Sequence, residues 1–200
     1  SKIKFYNSCS TDIFGDSKKI FKNEKDLFTP HSPYGNAKKF SFWLTKYYRE
    51  TYQLNCKSGI LSNHESPLRK DNFVSKILTN FLKNRKKNQK LKLGNTAVYR
   101  DWGWAPEFVE AIYKINNSKF KKDYVVGTGK ITSLKYIIER FFYLSRVNMK
   151  FIKINTKNLK RPNDIKKVGC NPKLIYKDLK WKSKINIDQI IQKLLLDEIY

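Results

Sequence analysis

Apolar residues along the chain alternate between two spacings. Residues 3–9 (IKFYNSC) alternate as a strand that fades into the polar turn Ser10-Thr11-Asp12. From Tyr34 to about Tyr52 the period lengthens, and Phe40, Trp43, Leu44, Tyr47 and Tyr48 fall at helical spacing. Residues 54–61 (LNCKSGIL) predict the next strand, with a polar turn over Asn63-His64-Glu65-Ser66-Pro67 at its end. A helix is predicted from Phe73 to about Arg85, then short extended pieces around Tyr99-Arg100-Asp101-Trp102. Pro106 suits a helix start, which predicts a helix from Ala105 to Ile115. Val125 and Val126 predict a brief strand, and Ser133 opens a helix reaching Ser145. A strand over Phe151 to Ile154, a break at Arg161-Pro162 and two helices complete the chain to Tyr200. Strands alternating with helices predict an α/β fold with a mainly parallel sheet.

Composition narrows the class. The 200 residues are 40% hydrophobic and 14% aromatic, enough for a core, and no apolar run suits a membrane-spanning helix. Cys9, Cys56 and Cys170 stand far apart without a Cys-x-x-Cys pair. That odd, sparse count favours reduced thiols over a zinc site or a disulfide framework, and a cytoplasmic setting. The formal charge of +25 invites a nucleic-acid reading. However, Lys, Asn and Ile fill roughly a third of the chain, the lysines are spread along it, and codon bias explains such a surplus. The basic runs 83–92 and 119–122 do not interleave aromatics as a base-stacking surface does. No specific nucleic-acid partner and no membrane are expected.

The chemistry starts at Tyr34 and Lys38, which a helix places one turn apart. A free tyrosine ionises near pH 10, and a neighbouring cation stabilises the phenolate and lowers that value. The spacing alone is weak, since Tyr176 and Lys180 share it. Ser10 and Asp12, at a predicted strand's C-terminal end where α/β folds carry their sites, give Tyr34 a context.

With these residues the chain resembles the extended short-chain dehydrogenase/reductases, and within them the GDP-mannose 4,6-dehydratases. The resemblance runs in order through Ser8-Cys9-Ser10-Thr11-Asp12, Ser32-Pro33-Tyr34-Gly35, Asn63-His64-Glu65-Ser66-Pro67, Asn72-Phe73-Val74-Ser75-Lys76, Leu93-Gly94-Asn95, Arg100-Asp101-Trp102-Gly103, Thr128-Gly129, Arg161-Pro162 and Leu179-Lys180-Trp181. The Asn63–Pro67 pentapeptide is the most specific of these. The resemblance implies NADP as cofactor, GDP-mannose as substrate and a homo-oligomer. It also implies a reaction in which a hydride leaves C4 of the hexose, water is lost across C5–C6, and the hydride returns to C6. On this reading Tyr34 is the base and Lys38 holds the nicotinamide ribose and depresses the tyrosine pKa. Ser10 and Asp12 stand where the family has threonine and glutamate. His64 and Arg69 fall on cofactor contacts, while Asn63, Val74, Lys76, Arg100, Arg161 and Asp164 surround the nucleotide sugar.

The implied architecture is the C-terminal half of a Rossmann-like parallel sheet over residues 1–62. A smaller mixed α/β substrate lobe follows over 63–200, with some segments returning to the sheet. The sequence holds no G-x-G-x-x-G loop; either no dinucleotide binds, or the first half lies outside this chain. Asp12 is one methylene shorter than glutamate, and displacing a catalytic group by about 1 Å can cost roughly a hundredfold. Ser10 lacks the methyl that fixes threonine's rotamer. Ile77 stands where the family usually has lysine, and Lys70 where it has glycine. Two other readings stay open: an epimerase or reductase of the same superfamily, which needs no carboxylate at position 12, and a non-catalytic truncated homologue.

Overall fold

The computed structural model describes residues 3–70, 73–84, 91–93, 95–154 and 165–199. In chain order these form β1 (Phe5–Ser10), a 3₁₀ turn (Thr11–Phe14), β2 (Phe21–Lys22), α1 (Pro33–Thr51), β3 (Cys56–Leu61) and β4 (Asn63–Glu65). Next come α2 (Val74–Asn84), β5 (Leu91–Leu93), β6 (Tyr99–Arg100), β7 (Trp102–Trp104), α3 (Ala105–Asn117), β8 (Tyr124–Val126) and β9 (Thr132–Ser133). The remainder is α4 (Leu134–Leu144), a second 3₁₀ turn (Met149–Phe151), β10 (Ile152–Ile154), β11 (Lys167–Cys170), α5 (Lys173–Leu179) and α6 (Ile187–Leu196). The central sheet has the order β1-β3-β8 and is parallel throughout. A second sheet runs β2-β11-β6-β9, and β4 pairs with β7 in parallel. The polar segment 63–67, expected as a turn, therefore begins as a strand. Asn63, His64 and Glu65 stand opposite Trp102, Gly103 and Trp104, a long-range pairing that local polarity does not reveal.

Alternation along the strands sends side chains to both faces of the central sheet. Ile60 and Val125 join Cys9, Ile13, Phe14 and Phe42 beneath α1. Leu61, Tyr124 and Val126 join Phe108, Ala111, Ile115, Ile175 and Trp181 beneath α3 and α5. A third cluster unites α2, α4 and α6 around Trp104. Helix α1 starts where Ser32 caps it, its hydroxyl accepting the Gly35 N–H at 3.0 Å, with Pro33 in the first turn. The helix lies as predicted, but its aromatic stripe points outward: Phe40, Trp43, Leu44, Tyr47 and Tyr48 are exposed. The face toward the sheet is Gly35, Phe42, Thr45 and Arg49. Arg49 can face inward because Asp123 meets its guanidinium with two bonds, at 2.7 and 2.5 Å. Among the described residues no helix is long and apolar enough to cross a membrane.

Candidate active site

The parallel register aligns Ser10 with Leu61 and Leu61 with Val126. The residues that follow, Thr11–Asp12, Ser62–His64 and Gly127–Gly129, consequently share the C-terminal edge of the sheet, the edge at which open α/β sheets carry ligands. Ser10 caps the 3₁₀ turn, its hydroxyl accepting the Asp12 N–H at 3.2 Å. The same hydroxyl lies near enough to the Tyr34 phenol to favour the phenolate. Ser10, Asp12 and Tyr34 thus meet at one place, as the sequence led us to expect.

Lys38 lies 5.7 Å from the centre of the Tyr34 ring and donates to the Ser8 carbonyl at 2.8 Å. The expected depression of the tyrosine is absent in this arrangement. Partial burial pushes the Tyr34 phenol up, Asp12 adds to that, and the opposing influences come from Ser10 and the charge of Arg69. The Lys38 ammonium sits over the ring and is anchored on the Ser8 carbonyl. At 54% exposure Tyr34 remains open to a ligand. Tyr176 and Lys180 reach a similar 6.0 Å, but at the exposed end of α5, away from this edge.

His64 stacks on Phe108 at 4.9 Å with 24° between the planes, and its Nδ1 bonds the Ser62 carbonyl at 2.9 Å. Burial lowers its pKa, and the nearby positive charge of Arg69 does the same. The stack depends on Gly103, where a Cβ would lie 2.2 Å from the Phe108 ring. Arg69 donates to the His64 carbonyl, lies 3.4 Å from the Glu65 carboxylate and covers the Phe73 ring at 3.8 Å. Glu65 is buried, which raises its pKa against the pull of Arg69 and the Ser75 hydroxyl. Lys76 closes the same loop by donating to the Pro67 carbonyl at 2.8 Å. Asn63 is half-buried on β4, Val74 opens α2, and Arg100 is half-buried on β6, its Nη1 donating to the Tyr99 carbonyl at 2.9 Å. Arg161 and Asp164 lie outside the described residues.

Two buried carboxylates were not singled out from sequence. Glu65 holds Arg69, and Asp101 gathers donors from three separate segments: Ser62, Thr128–Gly129 and Cys170. Burial pushes the Asp101 carboxyl up, and its bonds from Thr128, Gly129 and Cys170 oppose the rise. The general rule that a buried charge is hydrogen-bonded could have flagged these residues only once their burial was known.

A Rossmann-like α/β sheet with tyrosine, lysine, a hydroxyl and a carboxylate at its C-terminal edge defines the class of extended short-chain dehydrogenase/reductase folds. Solved structures agree. A dTDP-glucose 4,6-dehydratase from Bacillus anthracis in complex with NAD superposes with a TM-score of 0.86 at 20% identity, over 96% of this chain and 60% of that one. RMD from Pseudomonas aeruginosa complexed with NADPH superposes at 0.83 and 20% identity, over 97% and 65%. The pattern of the GDP-mannose 4,6 dehydratase family matches residues 1–194, and the chain belongs to that family. A GDP-mannose 4,6 dehydratase of Dictyostelium discoideum is 29% identical over 99% of this chain and 61% of its own length. The chain spans about half the length of the curated relatives it matches.

Proposed function

We propose that the protein dehydrates GDP-mannose to its 4-keto-6-deoxy product, with NADP as cofactor, in the cytoplasm. The observation that carries this reading is the meeting of Ser10, Asp12 and Tyr34 at the sheet's C-terminal edge, with Lys38 one turn along the same helix. The donor set suits a dinucleotide: Lys38 keeps N–H groups beyond the one given to Ser8, and Arg69 and His64 stand nearby. A bound nicotinamide supplies a reversible hydride acceptor. Tyr34 takes the proton from the C4 hydroxyl, and Ser10 hydrogen-bonds the reacting oxygen. Asp12 takes the C5 proton, made acidic by the new ketone, and passes it to the C6 hydroxyl, so that the C5–H and C6–O bonds break and their H and OH leave together as water. Asn63, Val74, Lys76, Arg100, Arg161 and Asp164 surround the nucleotide sugar, the arginines serving its diphosphate.

The division into a cofactor part (1–62) and a substrate part (63–200) belongs to the same reading, with β8 returning to the central sheet. The outward aromatic face of α1 supports association of copies into a homo-oligomer. The test uses protein expressed from the complete reading frame, with GDP-mannose and NADP, and follows the keto sugar. Tyr34→Phe should slow turnover roughly 10²–10⁴-fold, and Asp12→Asn should abolish elimination. Full keto-sugar formation by Asp12→Asn would show that Asp12 is not the elimination base. An epimerised nucleotide sugar in place of the keto sugar, formed equally by Asp12→Asn, would argue for an epimerase-like reaction, and no turnover by the wild type would argue for a binding protein.

A further inference from the structure

We propose that Asp101 is a positioning residue that couples the grip on the nucleotide sugar, through Arg100, to the grip on the cofactor, through Ser62 and His64. The inference rests on the site reading above. One oxygen of Asp101 accepts from the Thr128 N–H and hydroxyl, each at 2.8 Å, and from the Ser62 hydroxyl at 3.2 Å. The other accepts from the Gly129 N–H at 3.0 Å and the Cys170 N–H at 3.3 Å. All five partners donate, so the group works only as an acceptor, a role that suits a carboxylate and not an amide. The donors belong to the ends of β3 and β8 in the central sheet and to β11 in the second sheet, so one carboxylate fastens the two together. From Asp101 one path is a single residue long, to Arg100 on β6. The other passes through Ser62, whose carbonyl bonds His64 Nδ1 at 2.9 Å. The fit is close: a Cβ at Gly127 would lie 2.9 Å from the Asp101 carboxylate and 2.5 Å from Cys170 Cβ. A shift of this carboxylate therefore moves the arginine and the histidine relative to each other.

The experiment measures the affinity of protein from the complete reading frame for GDP by calorimetry, with and without saturating NADPH. Coupling energies between sites commonly correspond to about 5- to 150-fold in affinity. The wild type should bind GDP at least about fivefold more tightly with NADPH present. Asp101→Asn must turn its NH₂ group toward one set of N–H donors, and the ratio should fall below about twofold. Ser62→Ala removes only the link toward His64, leaves the other four bonds, and should lower the ratio too. It serves also if Asp101→Asn does not fold. A merely structural Asp101 predicts a lower melting temperature with the ratio unchanged, and that result, or an unchanged ratio in Ser62→Ala, overturns the proposal. So does a wild-type ratio of one. A wild type that binds neither nucleotide overturns the proposed function as well, and so is told apart from failure of the coupling alone.

Discussion

Replacing Asp123 by Asn strands the Arg49 guanidinium between α1 and the central sheet. Both side chains are nearly enclosed, at 7% and 10% exposure, and the two bonds of 2.7 and 2.5 Å lock them together. Arg49 also donates to the Cys56 carbonyl at 3.2 Å, while Asp123 accepts the Ser58 N–H at 2.7 Å, so the pair ties α1 to β3. Breaking one partner of a buried ion pair costs about 3–5 kcal/mol. For a chain of this size each kcal/mol moves the melting temperature by roughly 2–4 °C, so Asp123→Asn should lower it by roughly 6–20 °C. The amide can still accept from Ser58, which leaves the uncompensated guanidinium as the cause. Arg49→Met combined with Asp123→Asn removes that charge and should recover most of the loss, giving a coupling of about 2 kcal/mol in a double-mutant cycle by chemical denaturation. A single-variant shift below about 2 °C, or a strictly additive cycle, would refute the assignment of this pair as the fastening of α1.

Further predictions follow from the site's surroundings. Gly103→Ala forces its Cβ against Phe108 and should cost about 1–3 kcal/mol of stability while weakening cofactor binding through the displaced His64, read by thermal melts and NADPH titration. The His64 pKa is held below its ordinary 6.5, so the unfolded chain takes up the proton first as pH falls. The stability this neutral ring carries is complete above about pH 6.5 and is lost below it; His64→Gln should flatten that part of the stability curve measured between about pH 7.5 and 5.5. Glu107 accepts from the Ser183 hydroxyl and the Lys184 N–H, each at 2.7 Å, and from the Ile185 N–H at 3.3 Å. Glu107→Ala should loosen this strap and speed trypsin cleavage at Lys182 or Lys184 about tenfold, the equivalent of roughly 1.4 kcal/mol of local opening.

The helices, the central strands and the Ser10–Asp12–Tyr34–Lys38 grouping were legible because each depends on local spacing and on one general rule about sheet edges. What escaped depends on partners distant in sequence. Asn63–Glu65 is polar enough for a turn, and only β7 makes it a strand. The period of α1 was visible but not which face turns inward, because Arg49 is held inside by Asp123, 74 residues away. Lys57 is a further case: an isolated lysine in an apolar strand is buried because its ammonium caps the end of α3, donating to the Asn116 and Ser118 carbonyls at 3.1 and 2.8 Å. The rise in the Tyr34 pKa escaped because its main cause is partial burial of the phenol, with Asp12 adding to it, and neither the burial nor the direction in which the Lys38 ammonium points follows from helical spacing.

The central claim is most directly tested by giving protein from the complete reading frame GDP-mannose deuterated at C4, with NADP, and reading the product by NMR. The account predicts a 4-keto-6-deoxy sugar carrying the deuterium at C6, lost together with activity in Tyr34→Phe. Deuterium retained at C4, or no keto sugar formed at all, would contradict it.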